Sequence, residues 1–284
     1  MTPSVVTAAA APRRRGRWRR WILPGYSALV IAYTLVPIGV MILYGFNKAP
    51  AGRLTFAWKG FTLDWYRHLF DIPGLTTALL HSLEIATLSA LIATALGAPA
   101  ALALSRYRFR GRGLGDAVVL ADVAAPSVVV GASLLGFFVY FGVPRGLTTI
   151  LIAHVAFNIA FVIVVLQARL ADLDDSLVEA AQDLGANPWT AFWRVTFPLI
   201  FPGILAASLL AFALSIDDFI ITSFVAGQTL TFPLWVYGSV KVGIPPQVFV
   251  MGTLIFVVGV LFAAASVIAQ RRGATRRPAP AGAA

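Results

Sequence analysis

Ser176-Leu177-Val178-Glu179-Ala180-Ala181-Gln182-Asp183-Leu184-Gly185-Ala186-Asn187-Pro188-Trp189-Thr190-Ala191-Phe192-Trp193-Arg194-Val195-Thr196-Phe197-Pro198 is a polar and aromatic stretch set between two long apolar runs. Ser176 followed by Glu179 fits a capping box, in which the serine caps a new helix and the glutamate reaches back to the cap's free amide. Gly185 is suited to end that helix in a left-handed conformation, and Asn187-Pro188 then reads as the cap and first residue of a second short helix. The pattern predicts a helix-turn-helix outside the flanking runs. Its second helix carries Trp189, Phe192, Trp193, Val195 and Phe197, an apolar load that calls for a cover. These rings either rest on a membrane surface and the chain's own helix ends or dock into a groove on a soluble partner.

The flanking runs identify the solvent. With 59% hydrophobic and 12% charged residues, a chain of 284 residues has too little polar surface for a water-soluble globule. A helix needs about 20 apolar residues to cross the hydrocarbon. Six segments meet that length, at 21–46, 78–104, 117–141, 147–168, 199–225 and 248–270, and the quoted stretch lies between the fourth and fifth. The fold class is therefore all-α integral membrane with six transmembrane helices. Arg13 to Arg20 followed by an apolar run resembles a signal peptide, but the run is too long for one and lacks a clear small-residue cleavage site, so it reads as an uncleaved first helix.

The net charge of +10 raises the question of nucleic acid. The arginines sit in short runs beside the apolar segments, where no groove-reading surface forms, and they read as topology signals. Sixteen of the 22 Lys and Arg lie on the side shared by the two ends and the loops after the second and fourth spans, which predicts that both termini are cytoplasmic. Residues 1–20 and 271–284, rich in Ala, Pro and Arg, read as disordered basic tails attracted to anionic lipid heads. The sequence has no cysteine, hence no disulfide or thiolate chemistry, and no Gly-x-x-x-x-Gly-Lys-Ser/Thr phosphate-cradling loop. No His, Ser and acidic set has convincing spacing for catalysis or metal binding. His68 and His81 flank the external face, and His154 reads as a packing histidine inside the fourth span.

Acidic residues inside the spans are costly and tend to face a bundle interior or a pathway. Glu84 stands near the outer margin of the second span, Asp122 lies within the third, and Asp217-Asp218 lie within the fifth. On a continuous helix starting near Pro202 the Asp pair would stand about 22 Å up, with the two side chains about 100° apart. One of them would face a pathway and the other a helix interface or water. The external stretch 47–77 holds Trp58, Phe61, Trp65, Tyr66 and Phe70, which suit either an aromatic belt or a docking surface.

Glu179-Ala180-Ala181, Gly185 and Val195-Thr196-Phe197-Pro198 with Pro202 resemble the EAA loop of bacterial ATP-binding-cassette (ABC) import permeases. The usual pattern has Ile and Leu where Val195 and Phe197 stand. The resemblance implies the MetI-like ABC importer permease fold, with a coupling loop at 169–198 in which Glu179, Ala180, Ala181, Gly185, Trp189, Phe192, Val195 and Pro198 meet the ATPase. Further stretches are similar to the polyamine permeases of spermidine/putrescine importers: Trp58 to Thr62 with Trp65-Tyr66, Arg106 to Gly111, Ser215 to Phe219 with Ser223-Phe224-Val225, and Val240 to Gly243.

That resemblance implies a first transmembrane helix with its external loop at 21–77 and a permease core at 78–270. The implied partners are a paired permease subunit, a dimer of ATP-binding subunits and an extracytoplasmic substrate-binding protein. ATP and Mg2+ would be used by the partner ATPase, with no cofactor bound by this chain. A polyammonium substrate would find charge and an aromatic face at Asp217, Asp218 and Trp65. Permeases of this type often carry an acid after the proline of the third span. Ser127 stands there in this chain, and Asp122, one helical turn away, is the candidate to compensate. An importer for another solute, such as an aminophosphonate, opine or thiamine, is the alternative. A self-contained channel or carrier, or a structural anchor, gives no purpose to the EAA loop.

Overall fold

The computed structural model describes residues 19–49, 57–174 and 176–274. Among these the secondary structure is helical, apart from one antiparallel bridge between Asn47 and Phe61. The chain divides into two compact units: Met1–Leu69 with Ile244–Ala284, and Phe70–Gly243.

In the first unit α1 (Arg19–Tyr44) packs on α12 (Gln247–Ala274). Gly252 permits the approach, because a Cβ there would come within 2.9 Å of the Met41 sulfur. Between α1 and the short α2 (Asp64–Arg67), Phe46 stacks on Phe61 and Tyr66 at ring separations of 5.3 and 4.9 Å. Asn47, only 1% exposed, organises this segment. Its Nδ2 donates to the Ala57 carbonyl at 3.0 Å and its Oδ1 accepts from the Lys59 amide at 2.8 Å. Most of the basic tail positions, 1–18 and 275–284, lie outside the described residues. Arg271 and Arg272, expected in a tail, continue the backbone of α12.

The second unit is built on α3 (Pro73–Arg106), α6 (Leu147–Ala171) and α9 (Phe197–Ile216). Lipid offers no hydrophobic drive for helices to associate, so close packing of small residues has to supply it. Ala90, Ala93 and Ala101 of α3 and Ala207 and Ala211 of α9 meet Val162, Ile163, Leu166 and Leu170 of α6. At Gly97 a Cβ would lie 2.7 Å from Val162 Cγ1, so glycine sets that separation.

Four helices among the described residues are long and apolar enough to cross a membrane, and five if one bent pair counts as a single span. α12, apolar from Gln247 to Leu261, supplies the sixth apolar run. Two of the expected spans are interrupted. The segment expected as one helix at 117–141 is α4 (Arg112–Ala124) and α5 (Ser127–Tyr140), bent by 108°. Proline lacks an amide donor and pushes the preceding residue out of the helical region; Ala125 accordingly sits at φ −69°, ψ 131°. The segment expected at 199–225 is α9 followed by α10 (Ile220–Val225), with Asp217, Asp218 and Phe219 between them. α11 (Phe232–Ser239) then closes on α3.

The helix-turn-helix expectation also needs correction at its second arm. α7 (Ser176–Asp183) is separate, but α8 (Pro188–Ala191) passes through a π-helical turn at Phe192–Thr196 directly into α9. The aromatic arm is thus the first turns of a 29-residue helix, Pro188–Ile216.

Candidate functional site

Local hydrogen bonds shape the loop between α6 and α9. The Ser176 amide donates to Asp174 Oδ1 at 2.9 Å, so Ser176 lies within the helix and Asp174 supplies the capping oxygen expected of Ser176. Hydrogen bonds from Ser176 hold the Asp174 carboxyl below its ordinary range. At the other end of α7, Gly185 has φ +89°. Its amide donates to Gln182 O at 2.8 Å and the Ala186 amide to Ala181 O at 3.0 Å, the paired bonds of a Schellman stop. Asn187 then caps α8, its Oδ1 accepting from the Thr190 amide at 2.8 Å.

The two arms therefore meet through one left-handed glycine. Glu179, Ala180 and Pro198 are exposed, while Ala181, Phe192 and Val195 are half-buried. Trp189 is 71% exposed and edge-on to Trp193 at 5.7 Å, and Leu184 is 89% exposed. The loop presents an aromatic and aliphatic ridge on a fixed frame.

The second site is the interruption between α9 and α10. α9 ends at Ile216, and Asp217 is exposed. Asp218 turns the other way. Its Oδ2 accepts from the Thr222 amide and hydroxyl, each at 2.8 Å, and its Oδ1 accepts from the Ile221 amide at 3.4 Å. The carboxylate thus takes the amides that would otherwise continue the helix, which breaks it without proline or glycine. His154 of α6, 3% exposed, places Nε2 2.9 Å from Thr222 Oγ1 and 3.4 Å from Asp218 Oδ2, and Nδ1 2.6 Å from Ser215 Oγ. Ser89 of α3 donates to Ser215 Oγ at 3.0 Å.

His154 was expected as a satisfied packing histidine, and both ring nitrogens have partners. It is a hydrogen-bond hub, and Ser89, Ser215 and Thr222 were missed. The signal lies in Ser215, Asp218 and Thr222, whose spacing of three and four residues places them together on a helical repeat.

Of the other expected site residues, Asp122 and Ser127 are half-buried on either side of the α4/α5 bend. They are not one turn apart on a common helix, because Ala125 and Pro126 are extended. α5 nonetheless reaches the second interruption: a Cβ at Gly131 would lie 2.6 Å from Phe224 Cδ2 and 3.2 Å from Ile221 Cα. Trp65 lies in the first unit, where its indole N–H donates to the Asn47 carbonyl at 2.8 Å.

Residues 93–274 match the family described as binding-protein-dependent transport system inner membrane component. The chain is 36% identical over 253 residues to the spermidine/putrescine transport system permease protein PotC of Escherichia coli strain K12, covering 89% of this chain and 95% of that protein. It is 39% identical over 252 residues to the putrescine transport system permease protein PotI of the same strain, covering 86% and 87%. Among solved structures, a chain of a bacterial ABC transporter that imports the acidic polysaccharide alginate superposes with a TM-score of 0.63 at 17% identity, over 92% of this chain and 99% of that one.

Proposed function

The chain belongs to the family of binding-protein-dependent transport system inner membrane components, and on that premise we propose that it forms, with a paired permease, the polyamine path of an ABC importer. It is a multi-pass inner membrane protein and a transport component. The observation that carries the polyamine reading is the extended identity with PotC and PotI, which are named for spermidine and putrescine. The α9/α10 interruption supports it. A helix C-terminus carries a partial negative charge, and α9 ends beside the exposed Asp217 carboxylate. An ammonium passing there recovers part of its lost hydration through a charge-assisted hydrogen bond. Asp122 remains a candidate for the same path and Ser127 for a polar contact in it, and Trp65 is a candidate to offer a ring face to an ammonium.

The loop between α6 and α9 is the ATPase-coupling element in this reading. Glu179, Ala180, Ala181, Gly185, Trp189, Phe192, Val195 and Pro198 form or brace its ridge, which a cleft on the ATP-binding subunit covers. That subunit hydrolyses ATP with Mg2+, and an extracytoplasmic binding protein delivers the substrate. The arginine distribution supports a cytoplasmic side for the loop and both termini.

The test is uptake by the complete importer, reconstituted with its own binding protein and offered spermidine, putrescine and a panel of other cationic and zwitterionic solutes. Saturable ATP-driven uptake of a polyamine is expected. Uptake confined to another solute overturns the polyamine reading. In the same assay Gly185→Val forces a β-branched residue into φ +89°, a strain of about 1–3 kcal/mol. The expected result is assembled complex with uncoupled or absent uptake; full coupling contradicts the loop's role.

A further inference from the structure

The polar groups around His154 form a connected chain of hydrogen bonds. Thr222 Oγ1 donates to the Asp218 carboxylate at 2.8 Å, so it receives from His154, whose Nε2 carries the proton. His154 Nδ1 lies 2.6 Å from Ser215 Oγ, and Ser215 accepts in turn from Ser89 at 3.0 Å. The chain ties α3, α9, α6 and α10 together and ends on the carboxylate that starts α10.

Order alone would suggest the serine, histidine and acid of a nucleophilic relay. The environment argues otherwise. Ser215 is 5% exposed, Ser89 and Thr222 are fully buried, and Ser215 Oγ is already engaged by both Ser89 and His154. No face of the hydroxyl is offered to a substrate. Buried hydrogen-bonded chains of this kind stiffen by mutual polarisation, and each buried member is costly to orphan. They suit holding a break in place.

We propose that Asp218 and His154 are positioning residues: their buried lock fixes the α9/α10 interruption so that Asp217 alone of the acidic pair meets the substrate. This rests on the reading of Asp217 as a path residue. Asp218 is tied by the Thr222 amide, the Thr222 hydroxyl and the Ile221 amide, and lies 3.4 Å from His154 Nε2 with 12% of its side chain exposed. Asp217, one residue earlier, faces outward at the end of α9. The two adjacent carboxylates have opposite surroundings and separate tasks.

The experiment uses the complete reconstituted importer and measures maximal spermidine uptake, KM and thermal unfolding for each variant. Asp217→Asn is expected to lower maximal uptake at least tenfold with unfolding unchanged. Asp218→Asn keeps an oxygen that accepts the Thr222 amide, since asparagine caps helices as well as aspartate does, and uptake is expected within about threefold of parental. Asp218→Leu and His154→Leu are expected to lose at least tenfold in maximal uptake and to unfold at lower temperature. His154→Gln, which can still donate to Thr222, should recover part of the loss. If Asp218→Asn is as defective as Asp217→Asn in a stable, assembled complex, the charge of Asp218 is itself required and the lock proposal falls, while the path reading stands. If Asp217→Asn transports at the parental rate, the path reading falls, and with it the claim that Asp217 meets the substrate. The Asn and Leu variants of Asp218 still decide the lock: equal unfolding temperatures for the two would overturn it, also in the event that His154→Leu fails to assemble.

Discussion

The two interrupted spans of the second unit are broken by different means. Between α4 and α5 the interruption is covalent: Pro126 removes a donor and holds Ala125 extended, and the axis turns by 108°. Between α9 and α10 the backbone contains neither proline nor glycine, and the break is held by the Asp218 side chain, braced from α6 by His154. Pro126 disfavours a continuous helix in any surroundings, and the packing of α5 on α10 holds the bend as well. A break made of hydrogen bonds exists only while its partners are in register, so it is sensitive to distant substitutions and is the one that can respond when packed helices shift. The carboxylate assigned to the transport path, Asp217, lies at the second kind.

This contrast can be broken at several points. The largest effect is expected for His154→Leu. It takes one partner from Ser215 Oγ and sets an apolar wall against Thr222 and the Asp218 carboxylate, and each buried polar group left short of a partner costs about 1–3 kcal/mol. Thermal unfolding of the purified complex should fall markedly; an unchanged unfolding temperature would show that the α9/α10 break stands by itself.

Gly131→Val comes next. Its new Cβ would sit 2.6 Å from Phe224 Cδ2 and 3.2 Å from Ile221 Cα, and a backbone atom cannot swing aside. Overpacking of this kind costs about 1–3 kcal/mol, and uptake should fall because α10 is displaced. Parental uptake and stability in this variant would mean that α5 does not support the second break.

The smallest effect is expected for Pro126→Ala. α5 is anchored on α10 through Gly131 and in the apolar cluster through Phe138, which packs with Ile150, Ile221 and Val225. The bend should survive, with stability changed by less than about 1 kcal/mol. Distances between spin labels on α4 and α5 should match the parental values. A straightened span would show that the proline alone makes the bend.

The same residues explain what was legible in the sequence. The frame of the loop could be read because its determinants are local: Gly185 lies beside the carbonyls it satisfies, and Asn187 lies three residues from the amide it caps. The apolar runs located the spans for the same reason. Proline proved ambiguous, since Pro37, Pro99 and Pro202 stand inside continuous helices while Pro126 breaks one. Lipid-embedded helices tolerate proline where neighbours satisfy the freed groups, and that depends on packing. The continuation of α8 into α9 was hidden by Pro188 and Pro198, each of which suits the first turn of a new helix. The lock was hidden more deeply. Ser89, His154 and Ser215 are separated by more than 60 residues of sequence in each step, and nothing local to His154 announces its partners.

The most direct measurement uses the absence of cysteine from the chain. Asp217→Cys in the assembled importer is treated with a small cationic thiol reagent, with and without spermidine delivered by the binding protein under conditions that trap substrate in the path. The account predicts that the thiol reacts, since residue 217 is exposed beside the end of α9, and that spermidine slows the reaction at least tenfold. An unreactive thiol, or one modified at the same rate with and without spermidine, would contradict the placement of Asp217 in the substrate path.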